Sequence, residues 1–512
     1  MRIGIDVGGT HTDAVILDGD RVLSSTKALT SADVVTGITD ALDTLLKNGG
    51  LKAAQIKTVM IGTTQFTNAI IQRRELSPTG VIRIGLPSGE GMPPMIDWPD
   101  DMTTAINASV YMIHGGYLYD GVKLAELRED EIKYVIADLK KKKIENIAIA
   151  SAFSPMNDEP ERIVAKKIRA AIPAAKITRS SQFGRLGLME RENAAIMNAT
   201  LLPFAGKVVD AFLSALNNRA LTCPAYISQN DGTLMSSDFV RSFPALTFSS
   251  GPTNSLRGAY KLTGLEDAIV VDIGGTTSDI GVLQNGFPRE SNVIVDIGGV
   301  RTNFRMPDIM AIGLGGGSLV SKDGKKVGPQ SVGHKLVTDG LVFGGDQLTA
   351  TDIIVAAGQA DIGNKTKISH LSPELVRSAQ QTMRTMLDQS IEMMKPGGKD
   401  MPVILVGGGS ILVTDGLKAA AKLHQPENAD VANAIGAAIA QVGAESERMV
   451  SYRTTPRTEA LSDITQTATE RAISAGADPA TIRAVDIEET AVPYMDEGAT
   501  RVRVKVIGEL AP

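Results

Sequence analysis

The chain has 512 residues, 52 of them Lys or Arg and 58 Asp or Glu, for a formal net charge of −6. That length exceeds what one compact core accommodates, so two large lobes with smaller additions are expected. The charge balance, with no basic arm, argues against a nucleic-acid partner. The single cysteine, Cys223, excludes an intrachain disulfide framework and a Cys-rich zinc site and fits a reducing cytosol. The chain opens directly on the strand pattern RIGIDV without a charged-then-apolar leader, and no apolar run approaches the roughly 20 residues of a membrane span. A soluble, cytoplasmic protein without a membrane partner is expected.

The first segment, Ile3 to Leu17 (IGIDVGGTHTDAVIL), reads as strand, tight turn, strand, closed by Asp18-Gly19. An apolar run delivers Asp6; Gly8 and Gly9 let the backbone approach a ligand closely; Thr10 and Thr12 add hydroxyls; Asp13 follows. His11, inside the turn, either touches phosphate or substrate or packs the loop. RVLSSTKAL predicts a third strand, and Ser31 to Lys47 a helix with a Ser N-cap, stopped by Gly49-Gly50. TVMIGTTQFTNAIIQRREL reads as strand, turn, helix, with Thr63 and Thr64 at the helix entrance and Asn68 one turn in. Those threonines either cap the helix or contact substrate or γ-phosphate.

Between Val81 and Pro155 come VIRIGL, a proline-rich stretch around Trp98, YMIHGGYLYDG, a helix through Lys140 and the strand IENIAIASAFSP. Lys140 to Lys143 end a helix, where cations complement the dipole and stay solvated. Trp98 is expected to pack over a lobe edge. RLGLMERENAAIMNATLLPFAGKVVDAFLSAL is the strongest helix of this half. Glu192 and Asn193 near its start are candidates for polar groups aimed into a cleft, the alternative being an acidic first turn that serves the dipole.

Ile269 to Leu283 (IVVDIGGTTSDIGVL) then repeats the opening: Asp272, Gly274 and Gly275, Thr276 and Thr277, Asp279, closed by Asn285-Gly286. Neither copy has the GK[ST] ending of a Walker loop or the third spaced glycine of a dinucleotide fingerprint. The pattern is a pair of hairpins whose turns present backbone N–H groups and Thr hydroxyls to phosphate, with a carboxylate at each strand end for a hydrated magnesium ion. VIVDIGGVRTNF looks like a third copy but carries Val300-Arg301 in place of the hydroxyl pair, and is read as a decoy. IMAIGLGGGSLV supplies Gly315, Gly316 and Gly317. PVILVGGGSILV supplies Gly407, Gly408 and Gly409, serving either adenosine contact or close helix packing. NADVANAIGAAIAQV is a small-residue helix with Gly436, suited to tight packing between lobes. The tail from Glu447 predicts one helix and two strands.

The doubled motif resembles the actin-like ATPase superfamily. With the GTT and TNA segments, IAIASAFSP, FSSGP and LGGGS, the chain resembles within it the hydantoinase A/oxoprolinase family over nearly its whole length. The resemblance implies an α/β fold of two actin-like (ribonuclease-H-like) lobes around a nucleotide cleft with a small C-terminal α/β appendage, divided as 1–190, 191–445 and 446–512. It implies ATP and Mg²⁺ as cofactors, with Asp6 and Asp272 as the metal carboxylates; Asp6, Asp272, Asn68 and Glu192 as the catalytic set; and Thr63, Thr64 and Asn193 against substrate. The glycines and threonines of both hairpins, His11, Gly315, Gly316 and Gly407 to Gly409 would surround the nucleotide. The implied reaction is phosphorylation of a cyclic amide or related carbonyl compound, activating it for hydrolysis or carboxylation, with a companion subunit of hydantoinase B type. Homo-oligomerisation stays open. Two departures stand out: Thr253-Asn254-Ser255 replaces small residues after Ser-Gly-Pro, and the Pro-Gly-Pro-Ala-Cys segment is missing. A small-molecule kinase and a nucleotide-driven switch or reactivation ATPase remain alternatives.

Overall fold

The computed structural model describes residues 1–8, 11–29, 34–118, 121–183, 187–291, 295–304, 306–414, 416–492 and 499–511. The chain begins with β1 (Arg2–Val7), β2 (His11–Asp18), β3 (Arg21–Leu29), α1 (Val34–Gly49), β4 (Thr58–Thr63) and α2 (Gln65–Gln72). Ser31, the expected cap of α1, lies outside the described residues. An inserted layer follows: β5 (Thr79–Leu86), α3 (Asp100–Ile106), β6 (Ser109–His114), α4 (Glu129–Lys142), β7 (Asn146–Ser151), α5 (Glu159–Ala171) and β8 (Lys176–Arg179). Its parallel strands, ordered β6-β5-β7-β8, enclose their own apolar core. Then come α6 (Leu188–Asn217), β9 (Ala225–Ser228), β10 (Leu234–Ser236), α7 (Ser237–Ser242) and α8 (Ser250–Thr263).

The second repeat opens with β11 (Ala268–Ile273), β12 (Ser278–Gln284) and β13 (Phe287–Pro288). It continues through β14 (Val295–Ile297), β15 (Val300–Thr302), β16 (Ile309–Ile312), β17 (Ser318–Val320), β18 (Val327–Ser331), α9 (Leu336–Asp339), α10 (Ala350–Ala356) and α11 (Pro373–Met394). β19 (Pro402–Val406), β20 (Lys422–His424) and α12 (Ala432–Ile439) complete it, and β21 (Val442–Ser451), α13 (Arg457–Ser474), β22 (Arg483–Ala491) and β23 (Ala499–Gly508) end the chain.

Both repeats build the same sheet. Five strands run β3-β2-β1-β4-β9 in one and β13-β12-β11-β19-β20 in the other. In each, the first two pairings are antiparallel and the next two parallel. This is the ribonuclease-H-like order expected of paired actin-like lobes.

The strands do not follow the expected division at 190/191 and 445/446. β9 and β10 extend the first sheet beyond β4, and β21, which straddles residue 445, pairs with β10 on one side and β23 on the other. Among the described residues the first sheet thus reaches nine strands, and the C-terminal segment is its edge rather than an appendage. The reason lies in the alternation TRVRVKV: Val502, Val504 and Val506 point into the same core as Ile3, Ile5 and Val7. A second correction concerns α6, which is long and apolar enough to cross a membrane by length and composition. Here it is a core helix, with Ala194, Ile196, Met197 and Leu201 fully buried among the first sheet's side chains.

Two helices lie back to back between the sheets. Leu256 and Ala259 of α8 pack on β11 and β19, and Ala434, Ile435 and Ala438 of α12 pack on β2. Only glycine permits their approach: a Cβ on Gly258 would stand 1.8 Å from the Ala432 carbonyl oxygen, and one on Gly436 1.8 Å from that of Asn254. The counterpart of the Gly436 helix is therefore α8. Gly258→Ala gains about 1 kcal/mol of helix propensity but forces backbone against backbone, an overpacking that costs roughly 2–4 kcal/mol. We expect a net loss of stability in urea unfolding for Gly258→Ala and for Gly436→Ala, with both together lowering the midpoint further.

Candidate functional site

The period-two alternation of a strand decides where the motif aspartates point. On β1, Ile3, Ile5 and Val7 face the sheet's main core, so Gly4 and Asp6 face the helix pair; a Cβ on Gly4 would meet the Ala434 carbonyl oxygen at 2.1 Å. On β11, Ile269, Val271 and Ile273 face one core and Val270 faces α8, which puts Asp272 on the α8 side. The registers match: Asp6 stands opposite Asp13 and Asp272 opposite Asp279. Each turn closes with the same bond, Gly8 N–H to the His11 carbonyl at 3.0 Å and Gly274 N–H to the Thr277 carbonyl at 2.9 Å. Gly9 and Thr10 lie outside the described residues.

Neighbouring helices supply hydrogen bonds to these carboxylates. Asn254 of α8 donates to Asp6 Oδ1 at 3.1 Å, and the next residue, Ser255, donates to Asp272 Oδ2 at 2.5 Å. Asn433 of α12 donates to both Asp6 Oδ2 (3.1 Å) and Asp13 Oδ2 (2.8 Å). Lys27 Nζ of β3 approaches Asp13 Oδ1 to 2.8 Å, donates to the Asp430 carbonyl and reaches Gly408, where a Cβ would meet its Cε at 3.5 Å. Lys27, Asn254, Ser255 and Asn433 were not in the expected set; the polar departure Thr253-Asn254-Ser255 was the signal for two of them.

Electrostatically the site holds more negative charge than it neutralises. Burial pushes Asp6 up to about 6, with Asp13 and Asp272 adding to the rise against the amides of Asn254 and Asn433. Burial raises Asp272 against the opposing Ser255 hydroxyl and Lys27, and raises Asp279 to about 7, with Asp272 adding. His11, half-buried at the start of β2, is held below its ordinary value by burial and by Lys27.

The glycine loops converge here. Gly316 and Gly317 donate to the Gly274 and Gly275 carbonyls at 3.0 and 2.7 Å, and a Cβ on Gly315 would strike the Thr276 nitrogen at 2.6 Å. Gly407 lies against Asp272, where a Cβ would stand 2.2 Å from Oδ1, and Gly409 N–H donates to the Ile273 carbonyl at 2.7 Å. That run enters a short 3₁₀ turn, not a long helix. Thr12 is fully buried. Thr64 Oγ1 donates to the Val7 carbonyl (3.3 Å) and accepts from Asn68 (3.4 Å), while Thr63 Oγ1 accepts from Gln65 N–H at 3.2 Å. Ser250 at the start of α8 reaches the Thr63 carbonyl at 3.5 Å, and a Cβ on the next residue, Gly251, would lie 3.8 Å from Asp6 Oδ2 and 3.9 Å from Thr64 Cγ2, so this corner abuts Asp6.

Glu192 and Asn193 do not point into this cleft. Both Glu192 oxygens bind the buried guanidinium of Arg83, the Nε–Oε1 distance being 2.9 Å. Asn193 accepts from Trp98 Nε1 (2.8 Å) and donates to the Arg301 carbonyl (2.9 Å). Glu192 offsets the desolvation of the buried Arg83 guanidinium, and Arg83 was the signal overlooked. The third DIGG stretch forms the β14–β15 hairpin, where Asp296 Oδ1 accepts from Gly299 N–H at 2.8 Å across a Gly298-Gly299 turn with positive φ at both residues. Arg73 donates to the Gly298 carbonyl at 2.8 Å, so the hairpin clips α2 and α6.

Family models for the hydantoinase/oxoprolinase N-terminal region and for hydantoinase/oxoprolinase match residues 2–172 and 191–363. The chain belongs to the hydantoinase/oxoprolinase family. It is 24% identical over 387 residues to caprolactamase subunit alpha of Pseudomonas jessenii, a match covering 70% of this chain and 54% of that one. It is 26% identical over 396 residues to the acetophenone carboxylase gamma subunit of Aromatoleum aromaticum, covering 70% and 53%. The chain thus spans about half the length of these relatives. The crystal structure of ATP-dependent caprolactamase from Pseudomonas jessenii superposes with a TM-score of 0.77 at 18% identity, covering 100% of this chain and 88% of that chain. That likeness shows a shared fold for this member of the family.

The raised Asp6 has a stability consequence. Between the unfolded value of 3.8 and about 6 the folded state keeps a proton that the unfolded state releases. Stability therefore falls as pH rises through that window and stays reduced above it. Asp6→Asn removes this cost and should stabilise the ligand-free protein at pH 7.5 by roughly 1–3 kcal/mol. Thermal melts from pH 4 to 8 would check it, the expected result being a decline in the wild type that flattens in the variant.

Proposed function

We propose that this chain is an ATP-dependent activating subunit that phosphorylates the carbonyl oxygen of a cyclic amide or related carbonyl compound. One observation supports the reading: two hairpins of the same design, on sheets of the same strand order, bring Asp6 and Asp272 onto adjacent residues of α8, Asn254 and Ser255, beside the glycine loops. Turn N–H groups and hydroxyls suit phosphate oxygens. Phosphoryl transfer needs positioning and charge neutralisation more than a covalent nucleophile. The donor set fits Mg²⁺, which binds through one or two carboxylates plus waters and phosphates; Asp6 and Asp272 would hold it. When bound, the ion neutralises charge on the phosphates.

In this reading the amide oxygen attacks the γ-phosphorus as the bond to the β-phosphate oxygen breaks, and ADP leaves. Asn254, Ser255 and Asn433 hold the two aspartates in place, and Thr64 and Asn68 lie at the corner where the acceptor would enter. Water adding to the carbon of the resulting O-phosphorylated amide gives a tetrahedral adduct from which the ring nitrogen leaves as an amine, and a second water hydrolyses the acyl phosphate so formed to a carboxylate and inorganic phosphate. Such an intermediate needs shelter from premature hydrolysis. Its onward reaction is assigned to a companion subunit, in keeping with the subunit names of the relatives.

The purified chain with Mg-ATP and a panel of hydantoins, 5-oxoproline and small lactams should hydrolyse ATP slowly, with ring opening or carboxylation only after the companion is added. Full stoichiometric turnover by the chain alone would refute the two-component reading. A stable phosphorylated product would identify a small-molecule kinase instead.

A further inference from the structure

Away from the aspartates, the ends of β9 and β21, α7, α13 and Phe304 enclose a cavity of about 530 Å³, within the size range of small-molecule sites. Part of its lining is aromatic: the Phe183 ring meets Phe243 and Phe304 edge-on at 6.1 and 5.7 Å between centroids, and Phe239 lies 4.6 Å from Phe243. Most of the charged lining groups are already held. Asp231 pairs with Lys505 at 2.9 Å, Glu445 with Arg503 at 3.0 Å and Arg179 with Asp158 at 2.7 Å. Glu470 accepts from Gln466 at 2.9 Å, and Glu447 has a partner of its own.

Arg471 differs from these. Its Nη1 donates to the Glu445 carbonyl at 2.9 Å, and among the described residues no carboxylate forms an ion pair with it. Burial lowers its proton affinity, against the opposing charge of Glu445. Of the two lining asparagines, Asn230 and Asn303, Asn303 is 7% exposed, and among the described residues neither its Oδ1 nor its Nδ2 has a hydrogen-bond partner. A part-buried guanidinium with no directly paired carboxylate and a buried amide without a partner can each gain from a ligand. The planar guanidinium matches a carboxylate best, and a phenylalanine wall takes an apolar ring.

We propose that this cavity binds a small organic carboxylate bearing an aromatic or alicyclic ring, with the carboxylate on Arg471, the ring among the phenylalanines and a polar group within reach of Asn303. The site is separate from the two hairpins yet close to them in bonding. The Asn230 carbonyl accepts from Thr253 at 3.0 Å, and Thr253 directly precedes the Asn254 and Ser255 that hold Asp6 and Asp272.

Calorimetric titration of the full chain with 3-phenylpropionate and with its neutral isostere 3-phenylpropionamide tests this. The carboxylate should bind at least about tenfold more tightly, as a charge-assisted pair requires. Arg471→Met should abolish that preference and Arg471→Lys retain part of it, with circular dichroism reporting the fold. Equal affinities for the two compounds, no binding of the carboxylate at millimolar concentration, or a preference that survives in Arg471→Met would each overturn the proposal. If Arg471→Met does not fold, the wild-type comparison alone decides. None of these readouts depends on ATP, so failure here leaves the reading of the hairpin cleft untouched, and the reverse holds equally.

Discussion

Everything in the cleft depends on how closely α8 and α12 cross. At Gly258 and Gly436 each helix lies against the other's backbone, and Gly4 lets α12 settle onto β1 in the same way. Backbone-to-backbone approach leaves no room for slippage, because interiors packed at this density resist even one added methyl group. The consequence is positional: Asn254 and Ser255, adjacent on α8, reach Asp6 of one sheet and Asp272 of the other. A single helical turn thereby gauges the separation of the two hairpins. Asn433, from the opposite helix, holds Asp6 and Asp13 together.

The electrostatics explain why such bracing is needed. Asp6, Asp13 and Asp272 repel one another in a poorly solvated space, and Lys27 acts on Asp13 and Asp272. Neutral donors hold like charges in place without cancelling them, which leaves the carboxylates available to a cation arriving with phosphate. The two hairpins are not equivalent, however. Asp13 is held by Lys27 and Asn433, whereas burial and Asp272 push its counterpart Asp279 up to about 7.

Local pattern made much of this architecture legible. Both hairpins, the strand RVLSSTKAL and the tight-packing helix around Gly436 follow from alternation, turn residues and glycine spacing. The doubling of the motif places Asp6 and Asp272 at equivalent strand ends. What local pattern leaves open is pairing between distant segments. Nothing in TRVRVKV or AYIS says which sheet it joins, so the C-terminal strands read as an appendage although they extend the first sheet. Burial was the second gap: Glu192 sits in a polar helical turn by sequence, and only the arrival of Arg83 from β5 turns it into a structural ion pair. Conversely, the departure at Thr253-Asn254-Ser255 signalled a polar contact whose targets, both motif aspartates, became visible only in three dimensions.

The central claim is that both hairpins grip one magnesium-bound nucleotide. Calorimetric titration of ATP, with and without Mg²⁺, into the wild type and Asp272→Asn tests it most directly, since Asp272 belongs to the hairpin farther along the chain and contributes only if the lobes share one ligand. The account predicts magnesium-dependent binding in the wild type and loss of that dependence, with much weaker affinity, in the variant. Unchanged, metal-independent binding in Asp272→Asn would contradict it.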